Sequence, residues 1–141
     1  ETDDPLVSRM TICVSADGKP LEQVVKQLYK LINVLRIVEL PPDDSVEREL
    51  ALIKVGVGAG RRAEVLEIAE IFRAKVIDVD VDALVIEATG TPDKIRAMEE
   101  LLRPYGIVEM ARTGRIALAR GGRPLRAANL RTVPTSDRNA S

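Results

Sequence analysis

The sequence predicts an α+β protein made of two related units, and three observations carry that prediction. Apolar residues alternate with a period of two in some stretches and follow helical spacing in others. Between residues 47 and 111 these stretches run strand–helix–strand–strand–helix–strand. Part of the same order also occurs near the amino end, in matching short motifs.

The elements follow in order. Over Ser8–Ser15, Met10, Ile12 and Val14 point one way and Thr11, Cys13 and Ser15 the other, the pattern of a half-buried strand. Asp17-Gly18 makes a turn, and Pro20 opens a helix, where its missing N–H costs nothing. Leu21, Val24, Val25, Leu28, Leu31 and Ile32 form that helix's apolar stripe, with Glu22, Lys26 and Lys30 off it. Val34–Leu40 reads as a second strand, ended by Pro41-Pro42-Asp43-Asp44-Ser45.

Glu49–Val57 is the next strand, and Gly58-Ala59-Gly60 turns it into a helix over Arg62–Ala74, with Val65, Leu66, Ala69 and Phe72 inward. Lys75–Val81 is a strand with Ile77, Val79 and Val81 on one face and Asp78, Asp80 and Asp82 on the other. Leu84–Ala88 follows. Thr91 then caps a helix that starts at Pro92 and buries Ile95, Met98, Leu101 and Leu102. Pro104 and Gly106 stop it, Ile107–Ala111 is a strand, and Ile116–Ala119 a short further one. Residues 47–111 thus spell the ferredoxin-like βαββαβ pattern.

Ala16-Asp17-Gly18-Lys19-Pro20 is echoed 72 residues later by Ala88-Thr89-Gly90-Thr91-Pro92, and Ile37-Val38-Glu39-Leu40 is echoed 70 later by Ile107-Val108-Glu109-Met110. The first 40 residues therefore match the closing half of a unit whose complete form follows. An opening strand for the first unit is expected about 25 residues before Glu1. Two strands and one helix cannot close a core and leave an open sheet edge, so either the upstream strand and helix were lost or a partner supplies an edge, and loss is the expected explanation. The expected division is 1–44, 45–120 and a flexible basic tail over 121–141, which carries Arg123, Arg126, Arg131 and Arg138.

Composition narrows the function. Hydrophobic residues make up 45% of 141 and charged residues 30%, as in an ordinary globular protein. Lys+Arg 21 against Asp+Glu 22 leaves a net charge of -1, no basis for attraction to nucleic acid or a membrane. Aromatics at 2% leave almost nothing on which bases could stack. The chain has no His, which removes the commonest general base and metal ligand. The lone Cys13 cannot form an internal disulfide and fits a reducing, cytoplasmic setting. No apolar run approaches the ~18 residues of a bilayer span.

Five features are chemically suggestive. Gly58, Gly60, Arg61 and Arg62 stand between a strand and a helix, where free N–H groups can hold an anion or effector. The third glycine of a dinucleotide fingerprint and a phosphate-loop lysine are both missing there, so a tight turn with solvated arginines is the plainer reading. Asp78, Asp80 and Asp82 lack the glycine and glutamate of a calcium loop and read as the wet face of a strand. Cys13 has no His to activate it, and Glu99-Glu100 reads as solvated helix surface. Ser8, Arg9, Met10 and Thr11 open a strand, and Arg9 is either an edge charge or the anchor of a subunit contact.

Several motifs in one order carry a resemblance. Thr2-Asp3-Asp4-Pro5, Ser8-Arg9-Met10-Thr11, Lys26-Gln27-Leu28 with Lys30-Leu31, Val46-Glu47-Arg48-Glu49-Leu50 and Glu70-Ile71-Phe72-Arg73 resemble the small, regulatory subunits of acetolactate synthase. Ile77-Asp78-Val79, Ala88-Thr89-Gly90 and the run from Ala111-Arg112-Thr113-Gly114 to Ala119-Arg120-Gly121 fit the same family, so the resemblance spans roughly residues 2–121.

The resemblance implies a non-catalytic chain with an ACT-like first unit and a ferredoxin-like second unit. It implies a homodimer that binds and activates the catalytic subunit, with thiamine diphosphate, magnesium and FAD on that partner and no cofactor on this chain. It also implies feedback inhibition by valine or another branched-chain amino acid in the full-length form. The family's effector loop would lie upstream of Glu1, so no residue here inherits that role, and Ser8–Thr11 are the expected interface residues. An ACT-type amino-acid sensor acting on another partner is the alternative. A transcription factor would need a basic recognition helix, and a small enzyme would need a pocket with a nucleophile.

Overall fold

The computed structural model describes residues 4–15, 20–58 and 60–122. These fall into two units, one of residues 4–12 with Val46–Leu118 and the other of Cys13–Ser45 with 119–122. The fold is α+β, with ferredoxin-like architecture complete in the first of these units.

That unit is built on strands β1 (Ser45–Gly56), β2 (Lys75–Val79), β3 (Ala83–Gly90), β4 (Ile107–Arg112) and β5 (Ile116–Ala119), and on helices α2 (Arg62–Ile71) and α3 (Pro92–Leu102). The strand order is β2-β3-β1-β4, antiparallel throughout, and β5 also pairs with β1. This is the order a split βαββαβ chain adopts when each helix crosses over one intervening strand.

Strict alternation along β1 buries Ala51, Ile53 and Val55. Opposite them in register stand Ala88, Ile86 and Leu84 of β3, and Met110 of β4 lies opposite Ile53. Helices cover this face, with Val65 and Ala69 from α2 and Ile95, Met98 and Leu102 from α3 buried against it. Phe72, Val76 and Tyr105 close its margins. Thr91 accepts a hydrogen bond from the Lys94 N–H at 3.4 Å, and Pro92 sits at the first position of α3, as predicted. Leu66 and Leu101, expected inside, are exposed, because α2 and α3 each turn a narrower stripe inward than the apolar count suggests.

One predicted alternation fails within β2. The register matches Val76 to Ile86 but Asp78 to Val85, so Ile77 is an extra residue in a bulge. The bulge shifts Asp78 by one place, and the single clean face expected for Ile77, Val79 and Val81 does not exist. All three are exposed, at 50%, 60% and 87%.

Among the first 45 residues, which divide between the two units at Ile12, the helix forms as α1 (Leu21–Leu28), with no buried residue. The predicted strands at Ser8–Ser15 and Val34–Leu40 do not form, since neither stretch has a ladder partner among the described residues. Met10 is 81% exposed, and Ile12 and Val14 are exposed as well. The physical reason is the range of the bonds. A helix closes its hydrogen bonds within itself, whereas a strand needs a neighbouring strand, and neither stretch joins a ladder among the described residues. Tyr29 accepts the Ile37 N–H at 3.3 Å, and Arg120 donates to the Ser45 carbonyl at 3.1 Å and, through its N–H, to Asp44 at 2.8 Å. The predicted Asp17-Gly18 turn, Ala59 and the tail from Arg123 lie outside the described residues.

Candidate functional site

The turn between β1 and α2 holds the predicted Gly58, Gly60, Arg61 and Arg62. Gly60 has φ of 126°, a conformation glycine adopts without strain, and Arg61 N–H closes the turn on the Gly58 carbonyl at 3.2 Å. Both guanidinium groups are engaged inside the unit. Arg61 stacks 4.3 Å from the Tyr105 ring centroid and donates to the Pro104 carbonyl at 3.4 Å. Arg62 donates to the carbonyls of Asp80 and Val81 at 2.5 and 2.7 Å, binding α2 to the turn after β2. Tyr105 Oη donates to Glu64 at 2.8 Å, and that bond, with some burial, pushes the phenol up from its ordinary value.

The second predicted stretch, Ser8–Thr11, contributes Arg9, which donates to the Ala117 carbonyl on β5 at 3.2 Å. Ser8 and Met10 are exposed and Thr11 is partly buried. Among the described residues no hydrogen bond or ion pair joins this stretch to the glycine turn, so the two are separate surfaces.

Sequence reading missed a charged cluster that joins three elements. Glu49 on β1 is 5% exposed, and Arg112 Nε on β4 donates to it at 2.5 Å. Arg112 also reaches Glu99 on α3 at 3.7 Å, and Glu99 accepts from Arg103 at 2.7 Å. The Arg112 hydrogen bond holds the Glu49 carboxyl below its ordinary range despite burial, with help from the charges of Arg112 and Arg115. Glu99 is thus a partner in this cluster and not plain solvated surface. The available signal was Glu49 itself, a charge at an inward position of an alternating strand. Its partner lies 63 residues away and could not be named from spacing.

On the opposite face of the sheet Lys54 and Glu109 form an ion pair at 3.1 Å. No group of three or more Cys, Asp or Glu suited to a metal occurs among the described residues. No described helix is long and apolar enough to cross a membrane.

These features define a ferredoxin-like α+β chain whose polar side chains chiefly tie its own elements together. Comparison with known proteins places it more closely. A family model described as "Small subunit of acetolactate synthase" matches residues 48–121, and one described as "AHAS small subunit-like ACT domain" matches residues 1–36. The acetolactate synthase small subunit of Mycolicibacterium smegmatis is 53% identical over 127 residues, covering 90% of this chain and 75% of the relative. That of Aquifex aeolicus is 56% identical over 121 residues, 85% of this chain and 63% of the relative. The crystal structure of the small subunit from Thermotoga maritima superposes with a TM-score of 0.68 at 40% identity, covering 77% of this chain and 68% of that one. The chain belongs to the acetolactate synthase small subunit family.

Proposed function

We propose that this chain is a regulatory subunit, without turnover of its own, that binds and activates an acetolactate synthase catalytic subunit. The observation that carries the reading is the ordered pair of family matches, residues 1–36 and then 48–121, along one chain. In this reading residues 1–44 contribute to an ACT domain, 45–120 form the ferredoxin-like domain, and 121–141 are a basic tail. The chain acts as a cytoplasmic homodimer and holds no cofactor, while thiamine diphosphate, magnesium and FAD reside on the catalytic partner.

Ser8, Arg9, Met10 and Thr11 are the proposed contact with the catalytic subunit or a second copy. The exposed Met10 supplies apolar area beside Arg9, which is anchored on Ala117. Feedback inhibition by valine or another branched-chain amino acid belongs to the form with a complete ACT pair. An anionic group at the Gly58–Arg62 turn would meet the N–H groups at the head of α2, because both guanidinium groups are already engaged.

The test is acetolactate formation by the cognate catalytic subunit, titrated with this chain with and without valine. Activation without valine sensitivity is the expected result. If neither this chain nor a version extended upstream alters the rate, the proposal fails.

A further inference from the structure

β4 and β5 follow one another along the same partner, β1, with an insertion between them. The Thr113 N–H donates to the Leu50 carbonyl at 3.0 Å and the Arg120 N–H to the Asp44 carbonyl at 2.8 Å, so six steps along one strand face seven along the other. The extra residue falls at Gly114, whose φ of 76° glycine adopts without strain. Thr113 Oγ1 accepts the Leu50 N–H at 3.1 Å where a ladder carbonyl would otherwise stand. The insertion decides which way every later side chain points. Continued without it, the β4 register would set Arg115 against Arg48, a like-charge pair, and turn Ile116 and Leu118 to the face that the helices cover. With it, Arg115 pairs with Glu47 at 3.6 Å, Ala117 is 7% exposed, and Ile116 and Leu118 stand outward at 67% and 61%.

Burial alone favours the opposite choice, with the two large apolar side chains inside and the alanine outside. A bulge that turns them to solvent breaks that rule, and exposed apolar groups held out at such a cost mark a surface made for a partner. Two observations identify the occupant. Arg9 donates to the carbonyl of Ala117, between Ile116 and Leu118, so the patch adjoins Ser8–Thr11, the contact stretch proposed above. Its rim is also cationic. Arg9 and Arg48 each bond a backbone carbonyl, of Ala117 and Glu47, and neither forms an ion pair among the described residues. Two copies pressed together here would set like charges against each other, whereas a surface edged with carboxylates would neutralise them. We infer that Ile116 and Leu118, turned outward by the Gly114 bulge and rimmed by Arg9 and Arg48, dock an apolar, carboxylate-edged surface of the catalytic subunit. The inference rests on the regulatory reading above and adds which side chains carry the contact.

The test titrates the cognate catalytic subunit with the whole chain and with I116T/L118T, reading acetolactate formation and co-sedimentation. The variant is expected to need about tenfold more chain for half-maximal effect, with an unchanged melt by circular dichroism. Ile71→Thr, at an equally exposed apolar position on α2, should titrate like the wild type. Arg48→Glu should weaken binding more at low salt than at high salt. An I116T/L118T chain that binds like the wild type overturns the surface and leaves the regulatory reading standing. A variant that instead alters the sedimentation of the chain alone makes the occupant a second copy and overturns the assignment. A wild type that neither activates nor co-sediments removes the partner and the regulatory reading together. The bulge is read separately by maleimide labelling in a Cys13→Ser background. Ile116→Cys should react faster than Ala117→Cys, and deletion of Gly114 should reverse that order; an order unchanged by the deletion overturns the role given to Gly114.

Discussion

Residues 47–118 and residues 13–45 draw on closely similar sequence patterns and reach different ends. In the larger unit, alternating strands and two amphipathic helices find each other, and Ile53, Ile86, Ile95 and Met98 are wholly buried. In the smaller one, α1 has an apolar stripe of comparable quality and buries none of its residues. Echoed motifs even share a turn-and-proline entry to the helix, Pro20 in one and Pro92 in the other. Amphipathic patterning therefore creates the demand for a partner surface, and only a second element supplies it.

The contrast can be broken most sharply in the core. Ile53→Ala removes a buried side chain flanked by Ile86 and Met110 and is expected to cost ~2–5 kcal/mol in urea unfolding. A loss under about 1 kcal/mol would mean that the β1 face is far looser than its burial indicates. Next comes the charged cluster. Glu49→Ala leaves Arg112 without its main acceptor and is expected to cost ~1–3 kcal/mol by the same measurement.

Glu49 also makes the larger unit acid-sensitive in a defined direction. Its folded pKa lies below its ordinary value of 4.5. The stabilisation is therefore complete above that value and disappears as pH falls through the lower, folded one. Glu49→Gln should flatten the stability profile below about pH 4.5 while leaving its slope near neutrality unchanged. An unaltered acid limb would show that Glu49 carries none of it.

Smaller effects sharpen the comparison at the helices. Thr91→Ala takes the side-chain cap from α3 and is expected to lower stability by ~0.5–1 kcal/mol, read as a drop in Tm. Leu28→Ala on α1, where nothing is buried, should move the unfolding midpoint of the larger unit by no more than ~0.5 kcal/mol. Amide exchange gives the same contrast without mutation. The amides of Leu21–Leu28 are expected to exchange well before those of Ile95–Leu102, and equal protection would contradict the difference in burial.

The sites were less legible than the fold. The Gly58–Arg62 turn was visible as a turn, but Tyr105, Pro104, Asp80 and Val81, which occupy its arginines, come from two later connections in the chain. The sequence leaves Arg9 as either an edge charge or the anchor of a subunit contact, and the Ala117 carbonyl that meets it lies 108 residues on. The bulge at Ile77 left no mark in the alternation of valine and aspartate, because a one-residue slip keeps composition and changes only which face each side chain takes.

By itself the sequence determined what is written locally or repeated along the chain. That includes the helices with their caps and stops, the strand-like apolar patterns within residues 47–111, the echo between the two units, the exclusion of histidine chemistry, and the ordered motifs that mark the family. Only the tertiary structure decided which strands exist, which register they take and which charges meet. A helix satisfies its backbone within a few residues, so its pattern suffices to place it. A strand is completed by a neighbour distant in the chain, so Val34–Leu40, with the pattern of a strand, joins no ladder among the described residues.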